Sequence, residues 1–547
     1  MSSFHQSPLI AGIALVAASM SAFAETPPDA GALQQQIDRE RQPQLPRRMA
    51  PQKPVAPEAM KPAGGVAVTV REFRFAGNTL MTAEQLAPVV AGYLNRPLDF
   101  NQLQAAAAAV AEAYRAAGWV VIAYLPKQDI QNGIVTIQII EAVFGKLKFE
   151  GASPKRMSTR QIEAIFDARQ VGGASLNADV LDRALLLADD LPGVTVAGSL
   201  VAGARTGETD LALKLGEEPL IMGEIALDNT GSRSTGSDRA TVNFNLNSPL
   251  GFGDLATANL IHSDGNDYLR LAYSVPVGSN GWRIGVNASH LRYKLVSAEF
   301  STLDGKGSSD TAGLEASYPI LRSRLDNLYL NLNADHKRFD NESQGTTRTR
   351  YAIDAASVAL NGNLFDNWGG GGANGGNLTW VSGRRDNEIG TTSHSFSKLR
   401  YSLSRQQVLT RDLYLFAQLS GQESNDELDS SERFYLGGAA GVRAYPSSEG
   451  GGDSGVMTNV ELRWKLVEGF TLTGFHDFGR VRNNDAAISY SLKGYGMSLG
   501  WLSPAGLNLK TTWAHRIGDN PNPTSDGKDQ DGSLKKNRFW LSASLPF

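Results

Sequence analysis

Trp282-Arg283-Ile284-Gly285-Val286-Asn287-Ala288-Ser289 sets Trp282, Ile284, Val286 and Ala288 on one side of an extended chain. Arg283, Gly285, Asn287 and Ser289 fall on the other. Successive side chains of a strand point to opposite faces, so a period of two means one apolar and one polar face. The alternation recurs in Val242, Phe244 and Leu246 against Asn243, Asn245 and Asn247. It recurs again in Leu269, Leu271, Tyr273 and Val275 against Arg270, Ala272 and Ser274, and in Leu328, Leu330 and Leu332 against Tyr329, Asn331 and Asn333. A closed barrel with lipid outside and water inside asks for this pattern. A soluble sandwich also alternates, but seldom over so long a stretch. Residues 218–547 are 330 positions. Strands of ~10 residues with comparable connectors divide them into roughly 16. The expected fold of 217–547 is therefore an all-β transmembrane barrel of about 16 antiparallel strands.

Composition agrees. Of 547 residues, 57 are Gly and only 20% are charged, while 41% are apolar, enough for a core. The net charge of −4 argues against nucleic acid as a partner. With no cysteine there is no disulfide framework, Cys-ligated zinc or Cys nucleophile. Residues 8–24 form an apolar run ending in Ala22-Phe23-Ala24, the small-residue shape of a signal-peptide cleavage site, although no Lys or Arg precedes it. The run is short for a membrane span of ~20 residues, so residues 1–24 are expected to be a signal peptide removed on export.

Residues 25–65 offer little to pack. Asp29 to Arg41 suits one helix around Leu33 and Ile37, with Gln34, Gln35 and Gln36 as its polar surface. Pro43, Pro46, Pro51, Pro54, Pro57 and Pro62 then make a semi-extended linker, since proline fixes φ and removes a donor.

Residues 66–215 contain a repeat of about 75 residues. Val66 to Phe75 reads as a strand, Ala83 to Leu94 and Phe100 to Ala117 as helices, and Trp119 to Leu125 and Ile134 to Ile140 as strands. Gly118 ends the second helix. Phe149-Glu150-Gly151 answers Phe75-Ala76-Gly77, and Gly193-Val194 answers Gly118-Trp119. Two copies of a β-α-α-β-β unit are a pair of small domains, expected at 66–142 and 143–216. They resemble POTRA domains of two-partner secretion transporters. Gly118, Trp119, Leu125, Pro126, Gln128 and Asp129 carry the match, in Gly118-Trp119-Val120-Val121 and Leu125-Pro126-Lys127-Gln128-Asp129. An unpaired strand edge in such a unit would accept an extended client chain through main-chain bonds.

Three motif-like strings lack the context their chemistry needs. Gly452-Asp453-Ser454-Gly455 has no histidine in a protease context, and Gly496-Met497-Ser498-Leu499-Gly500 lies inside an alternating strand rather than at a strand-to-helix elbow. Gly369 to Gly376 lacks the Lys-Ser/Thr of a phosphate loop. No spacing suggests a metal site. The expectation is a non-enzyme without cofactor.

One string is more informative. Leu428-Asp429-Ser430-Ser431-Glu432-Arg433-Phe434-Tyr435-Leu436-Gly437-Gly438, followed by Val442-Arg443-Ala444-Tyr445-Pro446, resembles the sixth extracellular loop of haemolysin- and filamentous-haemagglutinin-type (TpsB) transporters. The resemblance implies that this loop folds into the barrel with Val442, Ala444 and Tyr445 at its tip. It implies that Arg443 meets Asp477 of Phe475-His476-Asp477-Phe478-Gly479 as a loop-to-barrel lock. Ala444 departs from the family's usual Gly. Leu227-Asp228-Asn229-Thr230-Gly231 and the terminal Phe547, an outer-membrane barrel assembly signal, complete the resemblance.

The resemblance implies a bacterial outer-membrane protein with periplasmic POTRA domains and a plug helix. Through them it would take an unfolded exoprotein bearing a two-partner secretion domain and pass it through the barrel. The implied partners are that exoprotein, outer-membrane lipid and the barrel assembly machinery. An insertase that assembles other barrels is the alternative.

Overall fold

The computed structural model describes residues 28–41 and 67–547, apart from 152, 206, 391, 448 and 485–487. The expected signal peptide and the Pro-rich stretch from 42 to 66 lie outside the described residues.

Helix α1 (Ala30–Glu40) comes first. The first repeat unit holds β1 (Val68–Thr69), β2 (Glu72–Ala76), α2 (Ala83–Val90), β3 (Pro97–Leu98), α3 (Phe100–Ala116), β4 (Val121–Tyr124) and β5 (Ile134–Glu141). The second holds β6 (Val143–Glu150), α4 (Thr159–Asp167), α5 (Ala178–Asp189), β7 (Val194–Ala202) and β8 (Glu208–Glu217). Their sheets run β2-β5-β4 and β6-β8-β7, each with the first pair parallel and the second antiparallel. The strand expected over 66–75 is broken into β1 and β2, and β1 pairs with β3 in a separate ribbon. Pro88 lies inside α2, and the helix expected to reach Leu94 gives way to a 3-10 turn at Ala91–Tyr93. Each unit has its own apolar core, around Leu86, Tyr114 and Ile137 in the first and Phe166, Leu176 and Leu211 in the second.

Sixteen strands then close a barrel. They begin with β9 (Ile221–Asp228), β10 (Arg239–Asn247), β11 (Leu255–Ser263), β12 (Asn266–Val277), β13 (Trp282–Lys294) and β14 (Lys306–Arg322). Next come β15 (Asp326–Ser343), β16 (Thr346–Asp366), β17 (Gly372–Ile389), β18 (His394–Val408) and β19 (Leu413–Glu423). The short pair β20 (Phe434–Tyr435) and β21 (Gly451–Gly452) belongs to the connection that follows β19. The barrel resumes with β22 (Ser454–Val467), β23 (Phe470–Arg482), β24 (Ser489–Leu502), β25 (Asn508–Arg516) and β26 (Asn537–Pro546). All barrel neighbours are antiparallel, and β26 closes on β9 through only five residue pairs, against eight between β25 and β26. Phe547 extends this seam, exchanging backbone hydrogen bonds of 3.0 Å with Gly223.

The alternation does what period two requires. Ile284, Val286, Leu314, Leu378 and Trp380 are exposed outside, where lipid lies, while Tyr268, Leu291, Phe339 and Tyr351 on the opposite parity are buried inside. Strand β9 follows directly on the second repeat unit, and the turns β10–β11, β12–β13 and β14–β15 lie against that unit. Helix α5 meets them there, with Arg322 on Asp190 and Arg324 on Asp182.

Candidate functional site in the barrel lumen

The long connection between β19 and β22 turns inward. Its apolar residues Leu436, Val442, Ala444 and Tyr445 are buried against Phe475, Val481, Leu492 and Ala514 of the wall. At the tip, Arg443 Nε donates to Asp477 Oδ2 at 2.9 Å and Nη2 to Oδ1 at 2.7 Å, a fork-to-fork pair. The backbone N–H of Arg443 adds a 3.0 Å bond to Oδ2. Asn459 also donates to Asp477 at 2.8 Å, and Arg443 Nη1 reaches Glu461 at 2.8 Å. The guanidinium lies over the Phe475 ring, 3.4 Å from its centroid. Trp540 of the last strand donates to the Arg443 carbonyl at 2.8 Å. Arg443 is 6% exposed and Asp477 fully buried. Burial works against the charge of Arg443, but Asp477 and Glu461 outweigh it and hold its pKa above the ordinary value.

Ala444 is accommodated by its neighbour. Its methyl lies where a side chain on Gly494 of β24 would come within 2.6 Å, so the glycine has moved from the loop tip to the wall. Ala444 is not among the residues of positive φ, so its Cβ is unstrained.

A second anchor escaped sequence reasoning. Glu432 reaches Lys337 of β15 at 2.8 Å and Lys398 of β18 at 2.6 Å, all three largely buried. Lys398 also donates to the Glu432 carbonyl at 2.6 Å, and Gln422 does so at 2.9 Å. Burial opposes the Glu432 charge, yet the two lysines pull its pKa down to about 2.

Helix α1 lies inside the barrel against β13, β14 and β15. Asp29 caps it, accepting from the Ala32 N–H at 2.8 Å, and takes a second bond from Ser430 of the loop at 2.7 Å. Leu33 and Ile37 pack into a patch that includes Tyr268, Leu291, Phe339 and Tyr351. Gln34 and Gln35 are buried along with Leu33 and Ile37, so part of the polar surface of the helix is also covered. Gln35 donates to the Arg433 carbonyl, and Arg39 to those of Tyr435, Gly437 and Ala440. Helix and loop thus share hydrogen bonds. At its end Glu40 pairs with Arg239 at 2.9 Å, whose Nε holds Asp228 of the first barrel strand.

The POTRA-like motif has two local tasks. Gly118 has φ +82°, and its carbonyl accepts from Ala178 at 2.7 Å while Trp119 bridges to Asn177, joining the repeat units. Gln128 exchanges two bonds with the Thr136 backbone, 2.8 and 2.7 Å, fastening the segment after β4 onto β5. Leu125 packs on the first core, Pro126 is half-buried and Asp129 is exposed. Edge strand β4 presents Ile122 and Tyr124 to solvent.

Comparison with known proteins decides the family. The model for the haemolysin secretion/activation protein ShlB/FhaC/HecB matches residues 207–501, and that for the POTRA domain, ShlB-type, matches 68–142. The chain belongs to the ShlB/FhaC/HecB family. Among similar relatives of this family is the heme/hemopexin transporter protein HuxB of Haemophilus influenzae, 24% identical over 97% of this chain and 96% of its own. The outer membrane transporter CdiB of Escherichia coli is 25% identical over 93% and 89%. In fold, the solved CdiB from Escherichia coli aligns with a TM-score of 0.71 at 20% identity, over 95% of this chain and 99% of that one. CdiB from Acinetobacter baumannii gives 0.64 at 17%, over 94% and 96%. This member of the ShlB/FhaC/HecB family is thus an outer-membrane transporter of two-partner secretion, with POTRA units in the periplasm and a secreted exoprotein as partner.

Among the described residues no group of three or more His, Cys, Asp or Glu could hold a metal ion. Glu432, Asn459, Glu461 and Trp540 were the site residues that sequence reasoning missed. Only the outward/inward parity of their strands could have placed Asn459, Glu461 and Trp540 inside.

Proposed function

We propose that the exoprotein enters at the edge strands of residues 66–216, threads the lumen of residues 217–547, and displaces α1 as it passes. The observation that carries this reading is α1 itself, a helix seated inside the barrel on bonds to loop and wall that a passing chain could replace. Arg443 and Asp477 would keep the inserted loop on the wall while α1 leaves, so that the barrel opens without losing its lining. Lipid of the outer membrane and the barrel assembly machinery are the further partners of this reading, with Phe547 at the seam as the assembly signal. Export would need no catalysis, the drive coming from folding of the client outside. Heme/hemopexin-related cargo, as in the name of HuxB, is one candidate client class.

The test deletes residues 66–215. The reading expects a conducting barrel in the outer membrane that neither binds a periplasmic client fragment nor exports it. Client pull-down with unchanged affinity would overturn it.

A further inference from the structure

The outer face of the barrel carries a polar arc where an aromatic girdle would be expected. Outer-membrane barrels usually flank the apolar band with aromatic rings at both interfaces. On β24 and β25 that holds, since Tyr495, Trp513 and His515 pack ring against ring. On β11–β17 the corresponding extracellular positions hold His262, Asp267, His290, Arg292, Asp310, His336, Arg338, Asp354, Arg384 and Asp386.

Parity fixes their direction. His262 shares it with exposed Leu260, Asp267 with Leu269, His290 and Arg292 with Val286, Asp310 with Leu314, Asp354 with Val358, and Arg384 with Trp380. His336 and Arg338 alternate with Phe339, which is buried inside. Register makes the row continuous: His262 faces Asp267, Asp267 faces Arg292, His290 faces Asp310, Asp310 faces Arg338, His336 faces Asp354 and Asp354 faces Arg384. Seven strands at their usual spacing make an arc of about 30 Å.

Within the arc the carboxylates already have partners. Asp267, Asp310 and Asp354 each lie 2.6 Å from a histidine Nδ1, and Asp386 takes the Nε of Arg384 at 2.7 Å. Arg292 and Arg338 have no carboxylate within ion-pair distance among the described residues, and Arg384 keeps its Nη groups free. Three guanidiniums on alternate strands therefore point outward just beyond the apolar band, where headgroups lie. Arg matches phosphate oxygens with two parallel bonds.

We propose that this arc binds a phosphorylated glycolipid headgroup of the outer leaflet through Arg292, Arg338 and Arg384. The inference rests on the membrane-spanning barrel and not on the path of the client. Continuity with the apolar band selects a lipid as occupant, because acyl chains on Leu260, Leu269, Val286 and Leu314 bring the headgroup to the arginines.

The test uses the full chain, delipidated in detergent, with bisphosphorylated lipid A and its dephosphorylated form as probes, read by native mass spectrometry. The triple variant R292Q/R338Q/R384Q should bind the phosphorylated probe on the order of 100-fold more weakly, about fivefold per arginine. The wild type should prefer the phosphorylated form. If the triple variant does not assemble, R338Q alone should show the fivefold loss. Equal binding by wild type and variant, or no preference for phosphate, would overturn the proposal. So would self-association of the wild type that the triple variant lacks, which would give the face to a second copy.

Discussion

Arg443 holds both oxygens of Asp477, at 2.9 and 2.7 Å, while its guanidinium carbon lies over Phe475, 3.4 Å from the ring centroid. Fork and plane act together, and a lysine supplies neither. Removing Arg443 strands the buried Asp477 at a cost of about 3–5 kcal/mol, whereas removing Asp477 leaves Arg443 still paired with Glu461 at 2.8 Å and costs less. R443A and D477A should each lower secretion, R443K should not restore it, and the double variant should lose less than the sum of the singles. Secretion assays with matched levels of heat-modifiable barrel would check this. Strictly additive losses in normally inserted protein would separate the two residues.

Glu432 serves two buried lysines, so E432Q strands both Lys337 and Lys398. The variant should loosen the loop base by about 3–5 kcal/mol and raise spontaneous channel opening in planar bilayers. Its pH behaviour is also fixed. A carboxyl held down at about 2 from an ordinary 4.5 contributes fully above 4.5, and that contribution is lost only as pH falls through about 2. Wild-type spontaneous opening should therefore show no change from loss of this carboxylate between pH 5 and 7.

Glu449 should behave oppositely. It is fully buried, accepts from Asn520 at 3.1 Å and from the Gln530 N–H at 2.9 Å, and so clasps the inserted loop to the connection between β25 and β26. Burial raises its pKa to about 7. A raised carboxyl stabilises fully below its unfolded value of 4.5, and the gain is lost as pH rises through about 7. Amide exchange in residues 517–533, corrected for intrinsic rates, should be faster at pH 8 than at pH 5. E449Q should abolish the difference.

Removing residues 25–42 should raise single-channel conductance while export continues, because α1 occupies the lumen through Leu33 and Ile37 and leaves no strand unpaired when absent. Planar-bilayer recording measures it, and an unchanged conductance would mean the helix does not obstruct the pore.

Much of this was legible from the chain. Period two in 282–289 or 328–333 fixes inside and outside without any tertiary knowledge, and the strand count follows from length. The Arg443–Asp477 contact was legible through motif alone, since 34 positions separate the residues and periodicity relates neither to the other. The Glu432 anchor was not legible: Lys337 and Lys398 are 95 and 34 residues away, and a lone lysine on the polar face of a strand reads as solvated. The seat of α1 was missed for a related reason. Alternation alone makes the inner face polar, whereas Tyr268, Leu291, Phe339 and Tyr351 converge on it from separate strands and become one apolar patch only when the barrel closes. Ala444 is the same lesson at one residue, since Gly494, which admits it, is 50 positions away.

The central claim is that α1 must leave the lumen for a client to pass, and tethering the helix tests it most directly. The chain has no cysteine, so a G31C/S431C pair would be its sole thiols. A Cβ built on Gly31 lies 3.1 Å from that of Ser431 and 2.9 Å from the Ser431 backbone N, against Ser430 Oγ, so the helix must draw back from the loop to reach the ~3.5–4.5 Å of a disulfide. Export should stop when the pair is oxidised and resume on reduction, with conductance low in the oxidised state. Full export with the bridge intact would contradict the account.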